Sequence, residues 1–225
     1  MMHFVQTVLL AVGALLPIVD PLGGAPIYQR LTAGVDPADR APLATLVAFD
    51  SFVLLLASTL IGTYVLEFFA LSIPAVQPAG GIVVCAIAWP LLTGPDTPEA
   101  LSRSKAAEAA ATEWRPRAFY PLTLPLTVGP GSISVALALG ANRAGSVRSW
   151  LFTSLAHALG ILIVAAAIYL CYRYADAILR KLGATGAAVL MRLSAFILLC
   201  IGVQIAWNGI HALLSATFHL PPPGT

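Results

Sequence analysis

Long apolar stretches alternate with short polar ones along this chain. Six of them, at about 4–31, 43–68, 75–92, 118–141, 150–172 and 189–214, are long enough to cross a bilayer as a helix, which takes about 20 apolar residues. The polar intervals predict the connections. The loop 32–40 holds Asp36-Pro37, a helix cap followed by a residue suited to the first helical position. A short turn at 70–74 precedes the third span. The interval 93–117 is the one long polar segment. It carries a helix start at Thr97-Pro98-Glu99 and an alanine-rich stretch, 100–112, read as a short surface helix whose charges serve solvation. The tail 215–225 holds Pro221-Pro222-Pro223 and is expected to be loose.

Composition sharpens this picture. Of 225 residues, 59% are hydrophobic and 10% charged, against about 25% charged in a soluble domain. The chain therefore reads as a single all-helical domain embedded in a lipid bilayer. A net charge of +2 without a basic stripe argues against a nucleic-acid partner. Cys85, Cys171 and Cys200 lie in apolar runs with no metal-ligand spacing, and neither a metal nor a cofactor is expected. The start, Met1-Met2-His3-Phe4, lacks a basic leader, and no small-residue cleavage site follows, so the first stretch is expected to be retained as a span. Ten Lys and Arg fall in the first, third and fifth connections and two, Arg143 and Arg148, in the others. Basic loops stay in the cytoplasm, which predicts that both termini are periplasmic.

Two of the six stretches cannot continue as regular helices. The first contains Pro17, Pro21 and Pro26 with Gly23-Gly24. The fourth contains Pro121, Pro125 and Pro130 with Gly129, the same P-x-x-x-P-L-x-x-x-P pattern 104 positions later. Each proline removes a backbone N–H and leaves a carbonyl without its helical partner, which inside a bilayer is tolerated only where protein or a polar cavity covers it. Broken segments at matching places in two halves point to a transporter's binding site. With three spans in each half, 4–92 and 118–214, the halves enter the membrane in opposite senses and read as a 3+3 inverted repeat joined by the linker 93–117. Ile82-Val83-Val84-Cys85 and Ile197-Leu198-Leu199-Cys200 echo one another in the third and sixth spans.

These motifs resemble the MarC family of bacterial inner-membrane proteins. Asp20-Pro21-Leu22-Gly23 with Pro26 is similar to its N-P-x-G-x-x-P motif. The stretch 71–81, ending Ala79-Gly80-Gly81, resembles its third-span signature. The stretch 121–131, with Gly129-Pro130-Gly131, resembles its P-L-x-x-P-L-x-x-G-P-G motif, and Gly202-Val203-Gln204 with Asn208-Gly209-Ile210 resembles its last span. The resemblance implies an inner-membrane protein, and related members are classed as neutral amino-acid transporters. Asp20 stands where the family pattern has Asn.

The breaks also suggest the chemistry. Pro26 and Pro130 are suited to begin new half-helices, whose N-termini would offer N–H donors to a carboxylate. Freed carbonyls would suit an ammonium group or a small cation. The substrate-binding set expected on this basis is Asp20, Pro21, Gly23, Gly24 and Pro26 from the first break. The second break and its half-helix contribute Thr123, Pro125, Thr127, Gly129, Pro130, Gly131 and Ser132. Gln204 and Asn208, four apart on one helix face, complete it. Asp50 and His157 are ionisable groups within spans, 107 positions apart, and are the candidates for coupling to H+ or Na+. The reading is a secondary transporter of small polar solutes, neutral amino acids first, and not an enzyme. The alternative is a channel or a metal-ion or other cation exporter using Asp20 and Asp50. An electron relay would need cysteines at the breaks, which are absent there. An intramembrane hydrolase would need Asp20 and Asp50 as a pair.

Overall fold

The computed structural model describes residues 2–32, 34–93, 118–141 and 147–218. The expected surface helix at 100–112 and the prolines of the tail lie outside the described residues. Among those described the fold is wholly helical: α1 (Met2–Val19), α2 (Pro21–Leu31), α3 (Pro37–Phe68), α4 (Ile73–Thr93), α5 (Ala118–Thr127), α6 (Pro130–Ala141), α7 (Val147–Arg173) and α8 (Ala175–Phe218). Five stretches are long and apolar enough to span: His3–Gln29, Ala38–Gly62, Ile73–Thr93, Ser149–Arg173 and Ala188–Phe218. The pair α5–α6, bent by 73°, makes a sixth.

Local sequence explains most boundaries. The Asp36 carboxylate accepts the Ala38 N–H at 2.9 Å and Pro37 opens α3. The end of α3 closes with the Leu71 N–H on the Leu66 carbonyl at 2.8 Å and Ala70 in the left-handed region at φ 53°, an ending that glycine normally supplies. The fifth connection departs from the sequence reading. It is helical from Ala175, and the chain turns into the last span at Gly183, whose φ is 68°. Arg180 and Lys181 therefore sit on a helix rather than in a loop, and Arg192 lies inside the last span. Polar residues mark where the chain meets water, and a helix along the interface satisfies that as well as a loop. The last helix also runs to Phe218, beyond the expected 214.

The core joins α1, α2, α3 and α7 through Leu15, Tyr28, Leu43, Leu55, Ile161 and Ile168. The pair α4 and α8 packs together at the side of this core. Leu9, Phe49, Ile82, Trp89, Leu162 and Phe196 face outward. Large apolar side chains exposed on every long helix are costly in water and fit a lipid surround.

The ends of these spans away from Leu31, Pro37, Thr93 and Ala118 are held by glycines. A Cβ on Gly140 would run into the backbone of Thr59, one on Gly62 into Leu137, and one on Gly80 into Ser134. Small residues let helices approach closely where van der Waals contact must replace the hydrophobic effect. We call this the closed end, and the end at which Leu31, Pro37, Thr93 and Ala118 lie the basic end.

Candidate functional site

The first break falls at Asp20 alone. Its φ is 42°, a left-handed conformation that Asp and Asn tolerate better than other side chains. Its carboxylate Oδ1 accepts the Gly23 N–H at 3.1 Å and its carbonyl accepts the Gly24 N–H at 2.9 Å. Asp20 thus caps α2, and Pro21, lacking an N–H, occupies the first helical position. This corrects the expectation for Pro26. It is buried inside α2 instead of opening a half-helix, because the helix has already restarted five residues earlier. Its neighbours Ile27, Tyr28 and Gln29 are interior helical residues and present no free N-terminus. Gly23 and Gly24 do not adopt positive φ. They are needed for space: a Cβ on Gly23 would meet the side chains of Asp20 and Ser194, and one on Gly24 the Tyr172 hydroxyl at 2.6 Å.

The second break is larger. Tyr120 and Leu124, each preceding a proline, are extended, as that position requires. The peptide bonds Tyr120–Pro121 and Leu124–Pro125 are cis. The repeated Pro-Leu-Thr then repairs the backbone. Thr123 Oγ1 donates to the Ala118 carbonyl at 2.8 Å, Thr127 Oγ1 to that of Leu122 at 2.6 Å, and the Val128 N–H to that of Thr123 at 2.8 Å. All three reach back five residues, a wide turn of the kind that recurs at functional sites. Pro130 begins α6, as expected.

The two breaks meet. One cavity of about 370 Å³ is lined by Asp20, Gly23 and Gly24 of the first and by Pro121, Pro125 and Leu126 of the second. Ile87 and Leu91 of α4 and Met191, Ser194 and Leu198 of α8 complete its wall. Apart from Leu31, which lies just past its span, every lining residue is in the half of its span nearer the basic end. Among the described residues the polar side chains of the lining are Asp20 and Ser194, and the Ser194 hydroxyl and the Asp20 carboxylate stand side by side over Gly23.

The remaining expected residues are distributed around this cavity. Pro21 and Pro26 are buried behind it, and Thr123 and Thr127 are buried and spent on backbone carbonyls. Gly129 packs on the Pro125 carbonyl, and Gly131 against Val84 and Ile18. Pro130 and the buried Ser132 stand at the head of α6. Gln204 donates to Asn208 at 2.8 Å on an exposed face, away from the cavity. Asp50 and buried His157 lie on α3 and α7, which pack together, and neither lines it.

The pattern of the sequence did not reveal Ser194 or Tyr172. Tyr172 stacks on Tyr28 at 4.5 Å and its hydroxyl lies 2.9 Å from that of Thr127. Tyr28 donates to the Arg40 carbonyl at 2.9 Å, and Asp176 accepts from Gln29 at 2.8 Å and from Arg40 at 3.1 Å. This network ties α2, α3, α7 and α8 together beside the cavity. Gln29, Tyr172 and Asp176 sit at the ends of long apolar runs, where a polar side chain reads as an interface residue.

The family model for MarC family integral membrane proteins matches residues 4–214. The chain belongs to the MarC family. The inner membrane protein MarC of Salmonella arizonae is 29% identical over 97% of this chain and the whole of that protein. The MarC protein of Escherichia coli is also 29% identical, with the same coverage. No solved structure matches the chain. For this MarC member, the matched range contains both breaks and the whole cavity.

Proposed function

We propose that this MarC protein is an inner-membrane secondary transporter of small polar solutes that carry an ammonium group, with neutral amino acids the first to test. The observation that carries the reading is the convergence of two helix breaks on one cavity that holds Asp20. Asp20 lies nine residues from the end of the span His3–Gln29, about 14 Å along a helix. A carboxylate at that depth is expensive and is usually retained for function. The break at Asp20 is a single residue whereas α5 and α6 meet at 73°, so the inverted repeat we infer is one of topology and not of identical shape.

Basic residues cluster in the connections at the cavity's end. With those in the cytoplasm, the cavity faces inward and the glycine-packed end closes the periplasmic side. Transport would require that packing to part. Asp50 and His157 are the proposed coupling groups, acting through the α3–α7 contact. Uptake by His157→Ala that keeps the wild-type dependence on a pH gradient would remove His157 from the mechanism.

The test of the carrier reading is uptake into proteoliposomes containing the full chain, first with a panel of amino acids and amines and then with divalent cations. Saturable exchange of an ammonium-bearing solute is expected. Flux of divalent cations alone would favour the second reading, a channel or cation exporter using Asp20 and Asp50.

A further inference from the structure

We infer that the cavity recognises only the ammonium end of its substrate, and that the preferred class is amphipathic monoamines without a carboxylate. The inference rests on the carrier reading and narrows it away from zwitterions.

The first observation concerns donors. A bound carboxylate needs N–H or O–H groups, and the backbone N–H groups at the first break are committed. The Gly23 N–H donates to Asp20 Oδ1 and the Gly24 N–H to the Asp20 carbonyl. The Ser194 hydroxyl stands over Gly23 next to the Asp20 carboxylate. No Lys, Arg or His is among the described lining residues. The head of α6 was the other source of donors, but Pro130, Gly131 and Ser132 do not line the cavity, and the Ile133 N–H is bonded to the Gly129 carbonyl. A substrate carboxylate here would lie beside Asp20 with nothing to pair with, which is the costly case of a buried unpaired charge.

The second observation concerns acceptors. An ionised carboxylate offers about four lone-pair sites, and Asp20 receives one hydrogen bond from the Gly23 N–H with the Ser194 hydroxyl beside it. The remainder suits an ammonium group, whose N–H bonds would be charge-assisted. The third is the wall. Ile27, Ile87, Leu91, Leu126, Met191 and Leu198 surround this polar spot with apolar surface, and the volume of about 370 Å³ leaves room for a hydrocarbon body. One charge-fixing group in an otherwise apolar cleft is the arrangement of a site that orients one end of a ligand and buries the rest.

Three probes share one body and separate the possibilities: 2-phenylethylamine, phenylalanine and 3-phenylpropionate. Binding to the purified full chain is measured by thermal shift and by isothermal titration calorimetry. The expected result is saturable binding of 2-phenylethylamine, at least tenfold tighter than that of phenylalanine, with no binding of 3-phenylpropionate. Asp20→Asn keeps an acceptor for the Gly23 N–H and a side chain that tolerates positive φ, and should weaken the amine at least tenfold. Ser194→Ala, which need not disturb the cap, should also change amine affinity. Phenylalanine binding as tightly as the amine would overturn the inference and leave the carrier reading intact. Amine binding that is identical in Asp20→Asn and Ser194→Ala to that of the unaltered protein would also overturn it. Failure of all three probes to bind overturns it too, and the uptake panel then decides the carrier reading by itself.

Discussion

The hydroxyl of Tyr172, near the end of α7, lies 2.9 Å from that of Thr127 at the bend between α5 and α6. The same hydroxyl stands where a side chain on Gly24 would be. One tyrosine thus joins both breaks. Tyr172→Phe should keep the fold and cost about 1 kcal/mol. Gly24→Ala should cost more, because its Cβ meets that hydroxyl at 2.6 Å while the ring carbons lie at 3.3 and 3.4 Å. The double variant should be more stable than the sum of the singles implies, since the phenylalanine ring lacks the clashing oxygen. Melting temperatures of the four proteins measure the coupling, and strict additivity would show that the contact does not carry the effect.

Glycine packing at the closed end should be unforgiving. Gly140→Ala puts a methyl group into the backbone of Thr59, and backbone cannot rotate away, so a loss of about 1–3 kcal/mol is expected. Gly13→Ala meets nothing within 4 Å and lies within α1. It should be neutral or stabilise by about 0.5–1 kcal/mol through helix propensity. Equal melting temperatures for the two variants would contradict the packing described.

Ala70 closes α3 at φ 53°. For an alanine that conformation costs about 1–2 kcal/mol relative to a right-handed one, and glycine is free of the penalty. Ala70→Gly should therefore raise stability by about 1 kcal/mol, read as a higher melting temperature. A lower one would mean that the methyl group makes contacts that outweigh the strain.

The basic end should face the cytoplasm. In a variant lacking Cys85, Cys171 and Cys200, a single cysteine at the position of Arg103 should resist impermeant thiol reagents applied to intact cells and react after lysis. Labelling in intact cells would reverse the topology, and the cavity would then open outward.

The six spans, the cap at Asp36 and the half-helix start at Pro130 were legible in the chain, because each depends on local chemistry: apolar length, proline's missing N–H, a short side chain's reach to its own backbone. The location of the first break was less so. Asp20, Gly23, Gly24 and Pro26 are all breakers by type, and only the fold shows the chain turning at Asp20 while the glycines stay helical to admit Tyr172 and the Asp20–Ser194 pair. Which polar groups reach the cavity was decided by tertiary structure alone. Gln204 and Asn208 share a helix face, yet both are exposed, whereas Ser194, farther toward the start of the same span, meets Gly23 of α2 and lines the cavity. A helical period says which residues lie together and not what lies opposite, and the partner of Asp20 comes from a helix more than 170 residues away in the chain.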